Sequence, residues 1–218
     1  MRLPRLALAA SLAALALAIP AQTRAEDKKA DDTAEFLDPA NWEGLDYWKL
    51  DAKGRTVVGL AEKDPGFNTF YISKKKYSDF ELTFQAELKD GKGNSGVQIR
   101  STVADPKKFV VGGPQADIGA GYWGSLYGER VGGWLKKAPK DVSKAKDFND
   151  YSVRAVGNHV TIKVNGETTI DEDFPDNGGK DPAPAAGVIA FQLHAGGPMT
   201  VTFKDIKFVD LSKSPGKK

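Results

Sequence analysis

The 218-residue sequence has no cysteine and only two histidines, His159 and His194. Without thiols there is no disulfide framework and no lipoprotein anchor, and two histidines alone cannot close a structural zinc site. An excess of charge is also missing, since 31 Lys and Arg face 29 Asp and Glu. Three of the basic residues, Arg2, Arg5 and Arg24, lie in the first 25 positions with no acid beside them, which leaves 28 against 29 and a remainder near −1. With no basic stripe, that balance gives nucleic acid no electrostatic footing. A Gly-x-Ser-x-Gly elbow, a phosphate-binding loop and a clear amphipathic helix are absent as well.

What is present begins with a targeting signal. Arg2 and Arg5 precede an apolar run from Leu6 to Ile19, and Thr23-Arg24-Ala25 places small residues where a signal peptidase reads. The run is short for a membrane span, so residues 1–25 read as a cleaved signal peptide, with no transmembrane segment in the mature chain and a periplasmic or secreted destination. Residues 26–35 form a charged leader and residues 212–218 a basic Ser, Pro, Gly and Lys tail, both expected to be disordered. Residues 36–211 then form a single domain.

Within it, period-two alternation separated by Gly, Pro, Asn and Asp predicts short antiparallel strands. The clearest runs from Phe80 to Leu88, with Phe80, Leu82, Phe84, Ala86 and Leu88 on one face and Glu81, Thr83, Gln85 and Glu87 on the other. Gly157-Asn158 and Asn165-Gly166 tolerate the positive φ of tight turns and mark two hairpins. Many short strands predict an all-β fold, a two-sheet antiparallel jelly-roll sandwich of the concanavalin A-like type. Trp134 to Phe148, rich in Lys and broken by Pro, reads as an exposed crossover loop.

Strand phase also sorts the polar residues. Gln98 and Arg100 oppose Val97 and Ile99; Gln115 and Asp117 oppose Ala116 and Ile118; Gln192 and His194 oppose Phe191 and Leu193. If these strands share a sheet, Arg100, Gln115, Asp117, Gln192 and His194 line one concave surface. Singly each has an ordinary explanation: Arg100 with Asp117 as a surface ion pair, His194 as a structural hydrogen-bonder, His159 as a turn residue. Together with Tyr122, Trp123, Tyr127 and Glu129 they supply what a carbohydrate site needs, flat apolar faces for sugar rings and planar groups for hydroxyls. A divalent cation such as Ca²⁺ would find Asp117 and Glu129 as donors, without a ligand-spacing motif. The two flanking carboxylates of an ordinary glycosidase are not evident, because Gln115 and Gly119 occupy the alternate positions around Asp117.

Asn94-Ser95-Gly96-Val97-Gln98-Ile99-Arg100, Gln115-Ala116-Asp117-Ile118-Gly119, Trp123-Gly124-Ser125-Leu126-Tyr127, Gly187 to His194 and Val201 to Ile206 together resemble the 3-keto-disaccharide hydrolase family, from about Phe36 to Leu211. Before the late hairpin, where that family frequently carries Glu-Trp-Asn, this sequence has Asp147-Phe148-Asn149. The resemblance implies a jelly roll acting on a sugar whose C3 hydroxyl a partner dehydrogenase has oxidised to a ketone. It implies base-initiated elimination followed by hydration. His194 or Asp117 would then be the base, Arg100 the stabiliser of the enolate oxygen, and Tyr127 or Glu129 the proton donor. Gln115, Gln192, Asn94, Tyr122 and Trp123 would bind substrate. A lectin-like module that binds sugar without chemistry is the alternative.

The mature protein is expected to start near Glu26 outside the cytoplasm, which intact-mass measurement of the exported form checks. Retention of Met1 to Ala25 in that form would overturn the signal assignment.

Overall fold

The computed structural model describes residues 31–174 and 184–213, so the expected signal peptide lies outside the described residues. Fourteen strands follow in order: β1 Trp42–Glu43, β2 Trp48–Asp51, β3 Thr56–Ala61, β4 Thr69–Tyr77, β5 Phe80–Leu88, β6 Asn94–Asp105, β7 Val110–Gly119, β8 Leu126–Glu129, β9 Gly133–Lys136, β10 Asn149–Val156, β11 His159–Val164, β12 Glu167–Asp173, β13 Gly187–Leu193 and β14 Met199–Asp210. They form two seven-stranded sheets, β1-β4-β13-β6-β7-β8-β9 and β12-β11-β10-β5-β14-β3-β2. Neighbouring strands are antiparallel throughout, and the sheets face each other as the expected sandwich. No helix among the described residues is long and apolar enough to cross a membrane.

Alternation sets the core. Along β5 every second residue from Phe80 to Leu88 is buried. The same rule puts Val97, Ile99, Ile118, Ile189, Phe191 and Leu193 of the first sheet against Leu82, Ile162, Val201 and Phe203 of the second. Both predicted hairpins form, with Val156 opposite His159 and Val164 opposite Glu167. His159 does more than turn the chain, since its ring meets Asp173 at 2.8 Å and Asp171 at 3.0 Å on the exposed β11–β12 ribbon.

Three expectations need correction. The leader is ordered from Asp31 onward: a short helix, Thr33–Phe36, packs Phe36 flat on Phe208 with centroids 4.2 Å apart, and the Asp32 N–H donates to the Phe208 carbonyl. Tyr77, Trp42 and Phe208 take that apolar corner out of water, which an isolated charged segment could not do. The basic tail likewise starts later, because Leu211–Lys213 forms a 3₁₀ turn and Lys213 pairs with Asp32 and Glu35. The segment read as a loop from Trp134 opens on a strand, since Gly133–Lys136 is the edge strand β9 beside β8. Beyond it the loop is pinned by buried Asn149, whose Oδ1 accepts from the Lys144 N–H and whose Nδ2 donates to the Asp147 carbonyl.

Leu82→Ala or Phe191→Ala, each emptying a fully buried site, is expected to cost about 2 to 5 kcal/mol. Chemical denaturation of the two variants against the parent measures it.

Candidate functional site

The outer face of the first sheet carries a cleft of about 300 Å³. Asn94 of β6, Gln115 and Asp117 of β7, Tyr127 and Glu129 of β8, Trp134 of β9 and Gln192 of β13 line it, with Asn68, Tyr122 and His194 at its rim. β6, β7, β8 and β13 are contiguous in the sheet, and the register sets Gln98 opposite Gln115 and Gln115 opposite Tyr127. Side chains two apart on one strand, and opposite across neighbours, therefore converge. Eight of the ten predicted residues meet here: Asn94, Gln115, Asp117, Tyr122, Tyr127, Glu129, Gln192 and His194.

Arg100 does not. Its backbone takes φ 47° inside a break of the β6–β7 register between Gln98 and Thr102, and this bulge ends the simple alternation. The side chain runs instead to the end of the sandwich, where Nε donates to the Ser78 carbonyl, Nη1 to the Gly157 carbonyl at 2.6 Å, and Nη2 pairs with Asp79 at 3.2 Å. Arg100 thus clasps two turns, and its ionic partner is Asp79 rather than Asp117. Trp123 is the second correction. It is 6% exposed and packs in the core near Tyr151, while its neighbour Tyr122 is 41% exposed at the cleft. In the turn after β7 one of two adjacent aromatics has to face inward, and the sequence does not say which.

Two lining residues escaped the sequence reading. Trp134, 39% exposed, stands 5.1 Å from Tyr122 and edge-on to Tyr127 at 5.3 Å, so the three rings make one aromatic wall. Asn68 donates from Nδ2 to the Glu129 carboxylate at 3.4 Å, and its Oδ1 accepts from the Ala195 N–H at 3.0 Å. The two glycines before Trp134 were the available signal for the β8–β9 hairpin, whereas nothing local marks Asn68.

The floor is a set of buried amides. Gln98 and Gln192 are fully buried, and Gln115 and Asp117 nearly so. Gln115 Nε2 donates to Asp117 Oδ1 at 3.0 Å and to Gln192 Oε1 at 3.2 Å, and Gln192 Nε2 reaches Glu129 Oε2 at 3.5 Å. Burial lifts the Asp117 carboxyl to about 7; the Glu129 charge adds to this, and hydrogen bonds from Gln115 and the Ile118 amide oppose it. His194 Nδ1 lies against the Ala195 carbonyl, which only accepts, so Nδ1 carries a hydrogen. Among the described residues no Lys or Arg lines the cleft. Among the described residues no group of three or more His, Cys, Asp or Glu side chains is placed to hold a metal ion.

The architecture is one that glycosyl hydrolases and carbohydrate-binding modules share. A protein of Parabacteroides distasonis ATCC 8503 provisionally assigned as a glycosyl hydrolase matches with a TM-score of 0.56 at 18% identity, over 79% of this chain and 89% of that one. The carbohydrate-binding module CBM66 of Bacillus subtilis matches with a TM-score of 0.56 at 16% identity, over 78% and 95%. The Crh5 transglycosylase matches with a TM-score of 0.57 at 12% identity, over 79% of each chain. At such identities the likeness shows the fold alone. A comparison with curated proteins finds no significant match. Within this class of sandwiches, the model of the 3-keto-alpha-glucoside-1,2-lyase-like domain matches residues 35–209, and the chain belongs to that family.

Asp117 gives the site a pH signature. Its carboxyl binds a proton more tightly folded than unfolded, so stability is expected to fall as pH rises from the ordinary carboxyl range through about 7. Asp117→Asn lacks that titration, and above neutrality it should be more stable than the parent by up to about 4 kcal/mol, at about 1.4 kcal/mol per pKa unit. Melting temperatures of both proteins from pH 4 to 8, the range spanning ordinary and raised carboxyl titration, check the sign.

Proposed function

We propose that this domain cleaves 3-keto-glycosides by elimination across C1 and C2, in a compartment outside the cytoplasm. The observation that carries the reading is a buried carboxyl on an open cleft, its proton affinity raised to about 7, with an imidazole lining the same cleft. A ketone at C3 acidifies the C2 hydrogen. His194 Nε2 takes that proton, the C2–H pair becomes an enolate on the C3 oxygen, and the enolate re-forms the ketone as it expels the C1 oxygen. Protonated Asp117 donates to that departing oxygen. The products are an enone with a C1–C2 double bond and a free alcohol, and water added across the double bond gives the 3-keto sugar.

With Arg100 elsewhere, the enolate oxygen is held by neutral donors, for which Asn94 and Tyr127 line the cleft. The polar floor reads the oxidised ring, and the wall of Trp134 and Tyr122 takes the flat apolar face of the leaving sugar. Family membership and the carbohydrate-active fold support this substrate class. The placement of Arg100 away from the cleft favours a second reading, sugar binding without chemistry, and so does the likeness to CBM66.

Incubation with 3-keto-disaccharides and their unoxidised parents, followed by product analysis, tests the proposal; release of the alcohol from the keto substrates alone is expected. Asp117→Asn and His194→Gln should each slow it about a hundredfold or more, the scale of losing a general acid or base. Trp134→Ala should raise KM about tenfold with little change in kcat, because stacking is shared by ground and transition states. Turnover unaffected in both Asp117→Asn and His194→Gln would overturn the roles given to these residues, and no cleavage of any keto substrate would leave the binding reading standing.

A further inference from the structure

Carboxylates only accept hydrogen bonds, so the two acids of the cleft dictate how the buried amides point. Gln115 turns Nε2 to Asp117 Oδ1, and Gln192 turns Nε2 to Glu129 Oε2. The Gln192 oxygen then has to face Gln115 Nε2, and the Gln115 oxygen has to face a donor. That donor is Gln98 Nε2 at 2.7 Å, and the Gln98 oxygen in turn accepts from the Ser101 hydroxyl at 2.6 Å. Every bond runs in one sense, from Ser101 through Gln98 and Gln115 to Asp117, with a branch through Gln192 to Glu129. Gln98 is 0% exposed and Ser101 1%, and neither lines the cleft.

Space for this chain is built into the strands. A Cβ at Gly96 would stand 2.6 Å from Gln115 Cγ and Cδ, and one at Gly113 would stand 2.4 Å from Ser101 Oγ. A side chain at either position would displace a member of the chain.

We infer that Ser101 and Gln98 are positioning residues which fix, through Gln115, the oxygen of Asp117 that carries its proton. Gln115 occupies Oδ1 with a donated hydrogen bond, which disfavours a proton on that oxygen. If the chain were reversed, the Gln115 oxygen would face Oδ1, and the proton would be captured there between two acceptors. The other ionisable groups around Asp117 are Glu129 and Tyr127 from β8, Tyr122 from the turn after β7 and His194 after β13; the Tyr151 hydroxyl of β10 meets only the Asp117 backbone carbonyl, and β6 contributes neutral Asn94 and Gln98. Of these only Glu129 bears on the sense of the Gln115 amide, through Gln192, and the donor that the Gln115 oxygen requires comes from Gln98. The part played in cleavage rests on the proton-donor role proposed for Asp117, whereas the placement of the proton does not.

Carbon-13 NMR titration of the Asp117 carboxyl, identified by the signal lost in Asp117→Asn, tests the inference without substrate. Gln98→Met keeps the length of the side chain, adds no charge and removes the amide donor, which leaves Gln115 able to reverse; the Asp117 midpoint should rise by about one pH unit. Ser101→Ala removes the first donor and should raise the midpoint by a smaller, measurable amount. An unchanged midpoint in both folded variants, even with lowered melting temperatures, would show that the two residues serve packing alone and would overturn the inference. Should Gln98→Met fail to fold, Ser101→Ala decides by the same criterion. In the enzyme assay the high-pH limb of kcat should move with the midpoint. A shifted midpoint with no cleavage of any 3-keto-glycoside at any pH would support the positioning role and sink the elimination reading.

Discussion

Phe191 of β13 meets Phe203 of β14 with ring centroids 4.5 Å apart, joining the interior of one sheet to the interior of the other. Ile189 and Leu193 enter the same core, so the alternate residue, Gln192, has to emerge on the outer face. β6 and β7 obey the same constraint, with Val97 and Ile118 inside and Gln98, Gln115 and Asp117 outside. A one-residue slip in any of these strands would put amides in the core and aromatics in the cleft. The hydrophobic effect that closes the sandwich thus also aligns the polar floor.

The cleft shows what it takes to keep polar groups dry on the outside of a sheet. Each amide on the floor is both donor and acceptor to a neighbour, and the arrangement ends on carboxylates at the edge of the open space. A carboxyl so placed is poorly solvated yet reachable, and this combination shifts proton affinity toward neutrality. Stability and reactivity pull in opposite directions at such a residue, and the surrounding fold has to carry the difference. Arg100 is the contrasting case. Its guanidinium is equally buried but bonded to two carbonyls and paired with Asp79, and it serves architecture.

Most of the sandwich and the centre of the cleft were legible in the sequence, because Phe80 to Leu88, Gln115 to Ile118 and Ile189 to Leu193 alternate without interruption. What was not legible lies where alternation fails. A single positive-φ residue inside a strand, Arg100, reversed the expected direction of its side chain, and nothing about arginine announces such a bulge. Tyr122 and Trp123 sit in a turn where phase has no meaning. Trp134 was hidden because a four-residue edge strand among lysines looks like a loop. The ends of the domain were misjudged for a related reason: Phe36 and Lys213 are held by partners more than 170 residues away along the chain, Phe208 and Glu35 respectively, and no local pattern reports that.

That pairing of ends has a mechanical side. Asp32 bonds to β14 both through its N–H to the Phe208 carbonyl and through its carboxylate to the Asp210 N–H, while Lys213 reaches back to Asp32 and Glu35. The two ends of the domain therefore leave from one corner, side by side. Tension applied between them would load this small patch of hydrogen bonds and ion pairs first, opening it bond by bond like a zip. The sheets and the cleft would feel little until the patch had parted. Anything tethered at either end would hang from the same point on the surface, with the cleft floor shielded from the pull.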